Sequence, residues 1–328
     1  MAKQKNVAYV VVTGWPLLPP AIRHLHNCGL EIIATSPDPD VDELIGKIEQ
    51  YQPKAIIVRS EEINKRCFDA ATELQAVAYH GVGYDVIDVA TATRRGIPVF
   101  IAPGRNAISV AEHAIGLILA IRKQFLNHDG LIRNGKWRPA KPATSEIHGS
   151  TIGLVGLGAI GNRLTELSQA FGMKTIAYDP GSFKSWPAHI TRCDLLDDLL
   201  VEADIVSLHI PLTPLTKGMI GADAIAKMKS GAILINTARG GIVDEQALVA
   251  AMKSGHLYGA GLDVFEQEPP GAGAELYTCD NVILTPHIAG VTPESALRMS
   301  MCCAENISRF LLHGEAAADD VVNPEWKK

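Results

Sequence analysis

Two kinds of hydrophobic pattern alternate along the first hundred positions. Unbroken apolar runs at 7–12, 31–34, 55–58, 76–78 and 99–101 predict strands, and the segments 19–27, 41–50, 65–71 and 88–95 between them repeat their apolar residues at helical spacing. Strands that alternate with helices in this way run parallel, because each helix carries the chain back across the sheet. The pattern returns later, with strands at 152–155, 175–178, 205–208, 232–235, 258–262 and 282–284 and helices at 162–171, 195–201, 222–228 and 244–252. The most apolar helical stretch, 107–121, contains Ser109 and Glu112 at capping-box spacing. An amphipathic helix at 293–312 is expected to pack back on the first domain. The polar stretch 127–150, with Trp137, Pro139 and Pro142, has the character of an arm that reaches over another subunit. The expected fold is α/β, with two doubly wound parallel-sheet domains: a discontinuous outer one, residues 1–104 plus 292–328, and an inner one, residues 105–291.

One stretch of the inner domain carries a specific signal. The run TIGLVGLGAIGNRL places Gly156, Gly158 and Gly161 between a strand and a helix, and the next strand ends on Asp179. Gly156 permits the tight turn, Gly158 lets the backbone approach a pyrophosphate, and Gly161 lets helix and strand pack closely. The helix N-terminus, beginning at Ala159 and Ile160, offers N–H donors and the positive end of its dipole to phosphates. Asp179 stands where a carboxylate accepts both ribose hydroxyls and repels a 2′-phosphate, which favours NAD over NADP. The outer domain has no such loop. Its strands end instead in Arg59-Ser60, Gly81-Val82-Gly83 and the stretch with Asn106, which together offer a cation, backbone N–H groups and an amide to a small anion. An ordinary surface ion pair for Arg59 and a simple turn for the glycines are the plain alternatives.

Composition narrows the class. The chain has 328 residues, 47% hydrophobic and 20% charged, with a net charge of −6. Basic residues do not cluster beyond pairs such as Arg94-Arg95, so nucleic acid is not an expected partner. Residues 107–121 include Glu112 and His113 and are shorter than a membrane span, so no membrane association is expected. The N-terminal apolar run is broken by Trp15-Pro16 and reads as a strand rather than a leader. Six cysteines, Cys28, Cys67, Cys193, Cys279, Cys302 and Cys303, lack C-x-x-C spacing. They are read as buried thiols in a reducing cytoplasm, with neither zinc nor any other metal.

Three residues in strand-end loops suit redox chemistry at a carbon bearing oxygen: Arg239, Glu268 and His287. Histidine titrates in the right range to move the proton. A carboxylate touching its ring orients it and favours its protonated form. Arginine grips a carboxylate through paired hydrogen bonds. Structural readings stay open for each: an arginine in a glycine-rich turn, a solvated glutamate before two prolines, a capping histidine.

The stretches GVGYDVIDVATATRRGIPV, NAISVAEHAIGLIL, GSTIGLVGLGAIGNRL, ADIVSLHIPLTPLTKGMI, INTARGGIVDEQAL, GAGLDVFEQEPP and NVILTPHIAG resemble the D-isomer-specific 2-hydroxyacid dehydrogenases, most of all the D-3-phosphoglycerate dehydrogenase branch. The likeness implies a Rossmann NAD-binding domain inserted in a flavodoxin-like substrate domain. It implies an NAD-dependent enzyme that interconverts a D-2-hydroxy acid and its 2-keto acid: 3-phosphoglycerate, hydroxypyruvate, glyoxylate or another 3-substituted lactate. Arg239 would bind the substrate's carboxylate and carbonyl, and His287, supported by Glu268, would pass the proton. Gly158, Ala159, Ile160 and Asp179 would hold the cofactor's phosphates and ribose. His209, Pro211, Thr213, Thr237, Ala238 and Asp263 match the path from adenine to nicotinamide, and Arg59, Ser60, Val82, Gly83 and Asn106 match the substrate side. A homodimer through the NAD-binding domain is also implied. Departures from the branch occur at HIAGVTPES, where relatives continue H-I/L-G-A-S-T, and at Tyr84-Asp85-Val86. The sequence ends at Lys328 without the regulatory domain of longer relatives, so the expectation is a short form without serine feedback. The same fold serves transcriptional corepressors that bind NADH, so a dinucleotide sensor is the alternative reading. A methyltransferase-like adenosine site is a weaker one, since it leaves Arg239 and His287 without a task.

Overall fold

The structure is a computed structural model that describes residues 7–138, 144–181 and 186–327. The chain divides into two compact units, Met1–Asn106 with Thr292–Lys328, and Ala107–Val291. The first unit contains β1 (Ala8–Val12), α1 (Pro19–Asn27), β2 (Leu30–Ala34), α2 (Val41–Tyr51), β3 (Ala55–Val58), α3 (Lys65–Ala70), β4 (Ala76–Tyr79), α4 (Val89–Arg94) and β5 (Val99–Phe100). Its strands are all parallel, in the order β2-β1-β3-β4-β5. That is the flavodoxin-like order. Alternation along β1 splits the core into two layers: Val10 and Val12 pack with Ala21 and Leu25 of α1, and Val11 packs with Leu44 and Ile48 of α2.

The second unit contains α5 (Ala107–Arg122), α6 (Phe125–Arg133), β6 (Thr151–Val155), α7 (Ala159–Ala170), β7 (Lys174–Tyr178), β8 (Thr191–Arg192), α8 (Leu196–Glu202), β9 (Ile205–Leu208), α9 (Ala222–Lys227), β10 (Ala232–Asn236), α10 (Glu245–Lys253), β11 (Leu257–Leu262) and β12 (Val282–Leu284). The strands form a parallel sheet in the order β12-β11-β10-β9-β6-β7-β8. The direction of winding reverses between β6 and β9, and in open α/β sheets ligands bind outside the carboxyl ends of the strands at such a point. The chain then returns to the first unit as α11 (Pro293–His313), whose Cys303, Ala304 and Ile307 join the layer around Val10 and Leu25.

Glycines on β11 govern how α5 lies on the second sheet. A Cβ at Gly259 would stand 2.5 Å from Ile121 Cγ2, and one at Gly261 would stand 3.0 Å from Leu117 Cβ. The helix therefore rests almost on the strand backbone.

Several expectations are corrected. Ser109 and Glu112 do not cap a helix, because α5 already begins at Ala107 and both lie inside it. The capping box belongs to α11, where Thr292 and Ser295 exchange bonds. The stretch expected to be an arm contains α6, none of whose residues is buried, so no apolar stripe marked it in the sequence. Trp137 is exposed, and Pro139 and Pro142 lie outside the described residues. The two-residue β8, exposed at the sheet edge, gave no pattern either. The helix expected over 162–171 ends one residue earlier, with Phe171 as the 40% exposed C-cap of α7. Cys67, Cys193, Cys302 and Cys303 are buried, but Cys28 and Cys279 are only half-buried because they follow the last turns of short helices. No helix among the described residues is long and apolar enough to cross a membrane.

Replacing Gly259 by Ala forces α5 or Asn281 to shift, since Asn281 O would also lie 2.9 Å from the new Cβ. The expected loss is about 1–3 kcal/mol in denaturant-induced unfolding.

Candidate active site

The three glycines of the β6–α7 loop have different reasons to be glycine. Gly156 has φ +99°, and a Cβ there would lie 2.5 Å from His209 O. At Gly161 a Cβ would lie 2.4 Å from Gly156 O, so helix and turn could not close. A Cβ at Gly158 meets no protein atom within 4 Å. Packing therefore does not explain Gly158, whereas close approach of a ligand does. Gly158 is also the N-cap of α7, and no side chain caps that helix. Its first-turn N–H groups, at Ala159 and Ile160, are left for an anion.

Asp179 sits at the end of β7, beside this loop. Its Oδ2 accepts from Leu157 N at 2.6 Å and its Oδ1 from Gly181 N at 2.7 Å. The carboxylate thus braces the glycine turn, and each oxygen keeps a further lone pair for a ribose hydroxyl. On the other side of the switch point, His209 N donates to Val155 O at 2.7 Å. Among the described residues, His209 Nδ1 and the Thr237 hydroxyl are buried polar atoms without a hydrogen-bond partner. They follow the adjacent strands β9 and β10. Open space at Gly158, an uncapped helix start and two orphaned polar atoms at neighbouring strand ends fit a dinucleotide. Pro211 and Thr213 lie in the same loop as His209, but Thr213 N and Oγ1 both bond Thr216 Oγ1, which closes the loop on itself. Ala238 N donates to Asn236 Oδ1 at 3.0 Å, fixing the turn that presents Arg239.

The residues expected to handle the proton, His287 and Glu268, meet in this unit. His287 Nδ1 lies 2.6 Å from Glu268 Oε2, while Glu268 Oε1 accepts from Phe265 N at 3.0 Å. The His287 side chain is 49% exposed, so its other nitrogen can be reached. Burial acts to raise the Glu268 carboxyl, but the bonds from His287 and Phe265 and the nearby charges of His287 and Arg239 outweigh it and hold the group below its usual range. Glu268 is therefore ionised and accepts the Nδ1 proton, which fixes the tautomer. Arg239 Nη1 donates to Ala238 O at 2.7 Å. Next to it, a Cβ at Gly240 would lie 1.8 Å from the Phe265 carbonyl carbon, so the Arg239 turn is pressed against the segment that leads to Glu268.

His287 has φ +53°, a left-handed backbone that a non-glycine residue adopts only where its surroundings enforce it. Asp263, 1% exposed, provides the restraint. Its carboxylate accepts from Thr285 Oγ1 at 2.5 Å, Ile288 N at 2.9 Å and Ala289 N at 2.8 Å, and its carbonyl accepts from His287 N at 2.8 Å. The resemblance gave Asp263 a place near the cofactor; the structure shows it tethering the His287 loop. Thr285 was not singled out in the sequence, since a threonine before a proline carries no signal of its own.

In the first unit, Arg59 and Ser60 follow β3, Val82 and Gly83 follow the neighbouring β4, and Asn106 ends the loop after β5, so all lie beyond carboxyl ends of adjacent strands. Arg59 N donates to Thr13 Oγ1 at 3.1 Å, and Asn106 Oδ1 is buried without a partner among the described residues.

Residues 115–289, more than half of the chain, match the family described as D-isomer specific 2-hydroxyacid dehydrogenase, NAD binding domain. The chain belongs to the D-isomer-specific 2-hydroxyacid dehydrogenase family. A D-3-phosphoglycerate dehydrogenase of Archaeoglobus fulgidus is 40% identical over 90% of the chain and 56% of its own length. A hydroxypyruvate reductase of Thermotoga maritima is 40% identical over 86% of the chain and 92% of its own length. The chain thus spans little more than half the length of the phosphoglycerate dehydrogenases it matches. Among solved structures, that of a D-lactate dehydrogenase from Aquifex aeolicus complexed with NAD and lactic acid matches with a TM-score of 0.84 at 30% identity, covering 96% of this chain and 99% of that one. The family's NAD-binding domain explains the glycine loop, and NAD is its cofactor.

Three variants have expected outcomes here. Gly158→Ala keeps the melting temperature and weakens NADH binding, followed by fluorescence titration, by about tenfold or more, ~1.4 kcal/mol. Gly161→Ala instead lowers the melting temperature. Acid stability reports on His209, whose pKa burial lowers from 6.5 to about 4. Between those values the unfolded chain binds a proton that the native ring refuses, so stability is full above pH 6.5 and falls as the pH drops towards 4. His209→Gln flattens the unfolding free energy in that window by up to about 1.4 kcal/mol per pH unit.

Proposed function

We propose that this chain is an NAD-dependent oxidoreductase interconverting a D-2-hydroxy acid and its 2-keto acid. The Glu268–His287 contact of 2.6 Å, in the same unit as Arg239 and the uncapped glycine loop, carries the reading. Gly156, Gly158–Gly161 and Asp179 would hold the dinucleotide, and the chemistry it would supply when bound is hydride exchange at C2. Arg239 binds the substrate carboxylate through paired hydrogen bonds and polarises the carbonyl beside it. With Nδ1 engaged by Glu268, Nε2 of His287 moves the proton: it donates to the carbonyl oxygen in reduction and accepts from the hydroxyl in oxidation. Ionised Glu268 stabilises the imidazolium that forms in the second direction.

Small 2-keto acids fit this scheme: glyoxylate, which bears hydrogen on C2, or phosphohydroxypyruvate, hydroxypyruvate and related 3-substituted keto acids. The substrate-side role of Arg59, Ser60, Val82, Gly83 and Asn106 belongs to the same proposal, as does the preference for NAD over NADP that the charge of Asp179 supports. The dimer does too: Phe125, Leu126 and Ile132 of α6 are 56%, 63% and 54% exposed, an apolar surface on the NAD-binding unit suited to a second copy. A cytoplasmic location agrees with six free cysteines.

The test is consumption of NADH, and separately NADPH, with phosphohydroxypyruvate, hydroxypyruvate, glyoxylate, pyruvate and sulfopyruvate. Turnover of at least one with NADH, and a fall of about 10²–10⁴-fold in His287→Ala, is expected. Undiminished turnover by that variant would refute the mechanism.

A further inference from the structure

The loop bearing His287 hangs on Asp263, and Asp263 has a further neighbour on a different element. His113 of α5 places Nε2 3.0 Å from Thr285 Oγ1 and 3.8 Å from Asp263 Oδ1. The proton order of this chain follows from its chemistry. Thr285 has one hydroxyl proton, and the 2.5 Å contact with a carboxylate claims it. The lone pair on Oγ1 therefore faces His113, so Nε2 carries the hydrogen and donates. The sequence is Nε2–H to Oγ1–H to Oδ1, with Asp263 passing the restraint to the amides of Ile288 and Ala289.

The register that brings His113 there is written into both elements. Leu117 meets Gly261 and Ile121 meets Gly259, so steps of four along α5 match steps of two along β11 in the opposite direction. Four residues of helix advance about 6 Å and two residues of strand about 6.6 Å, so the two ladders stay in step over this length. The next rung is His113 opposite Asp263. The glycines that let the helix settle on the strand thus set the depth at which the imidazole meets the carboxylate.

We infer that His113 and Thr285 are positioning residues for the proposed reaction, forming with Asp263 a hydrogen-bonded strut that holds His287 in its left-handed conformation. The inference rests on the proton-transfer role proposed for His287. Neither residue touches the reacting atoms; each acts through the geometry of the loop. A small displacement of the imidazole lowers turnover far more than it lowers binding.

The experiment compares the full chain with Thr285→Val, Thr285→Ser, His113→Leu, His113→Gln and His287→Asn. It measures kcat and KM on the best keto acid with NADH, NADH affinity by fluorescence, and hydrogen–deuterium exchange over residues 285–291. Thr285→Val and His113→Leu are expected to lower kcat about tenfold or more, leave KM and NADH affinity within about twofold, and speed exchange at Ile288 and Ala289. Thr285→Ser and His113→Gln keep the hydroxyl and the Nε2–H donor, and restore most of kcat and of the protection. The proposal is overturned if the folded Val and Leu variants match the parent in kcat and exchange, or if the conservative variants are as impaired as the truncated ones. Should Thr285→Val fail to fold, the His113 pair decides by the same criteria. Undiminished kcat in His287→Asn refutes the role of His287 instead, and the exchange data still determine whether the strut orders the loop.

Discussion

A carboxylate buried to 1% exposure persists only where donors surround it, and Asp263 draws its donors from the loop that carries His287. The arrangement binds two requirements together. The carboxylate needs Ile288 N and Ala289 N, and the loop needs a fixed acceptor to hold a backbone conformation that histidine does not favour by itself. Because the loop is tied from behind, the ring of His287 stays accessible and Glu268 is free to orient it from the side. Desolvation of one acid thereby preorganises the environment of another.

A similar doubling of tasks recurs along the carboxyl ends of the second sheet. Asp179 holds the amides of Leu157 and Gly181 while keeping further lone pairs, so the residue proposed to meet a ribose also shapes the glycine turn beside it. His209 presses its carbonyl against Gly156 and leaves one ring nitrogen unpaired. Gly240 brings the Arg239 turn against the backbone that precedes Glu268. In each case backbone contacts help to position the group, joined at His209 by a 2.9 Å bond between Nε2 and Ser207 Oγ, and strand ends supply that rigidity.

Much of this was legible in the sequence because hydrophobic period and secondary structure agree where strands are buried on both faces. The strands at 55–58, 205–208 and 282–284 and the helix at 19–27 coincide with the observed elements. The glycine loop was readable because each glycine answers a separate steric demand. Elements without a buried face escaped: α6 buries none of its residues, and β8 has two exposed ones. The false capping box at Ser109 shows the limit of short motifs, since spacing alone does not say where a helix begins. The significance of His113 lies in a register between α5 and β11 that neither segment reveals by itself. Thr285, a threonine before a proline, carried no signal of its own.

The discontinuity of the first unit has a consequence for how the chain acquires its structure during synthesis. β5 is completed by residues from the far end of the sequence: Phe100 bridges Val321, Val99 N bonds Asn323 Oδ1, and Phe100 packs on Phe310 at 5.8 Å. One layer of that core also needs Cys303, Ala304 and Ile307 of α11. Emerging from the ribosome, residues 7–106 must therefore wait with an unfinished core while the inserted unit, whose sheet is continuous in sequence, is made and can fold. The late arrival of α11 means that residues 7–106 complete their core only after the inserted unit has been made.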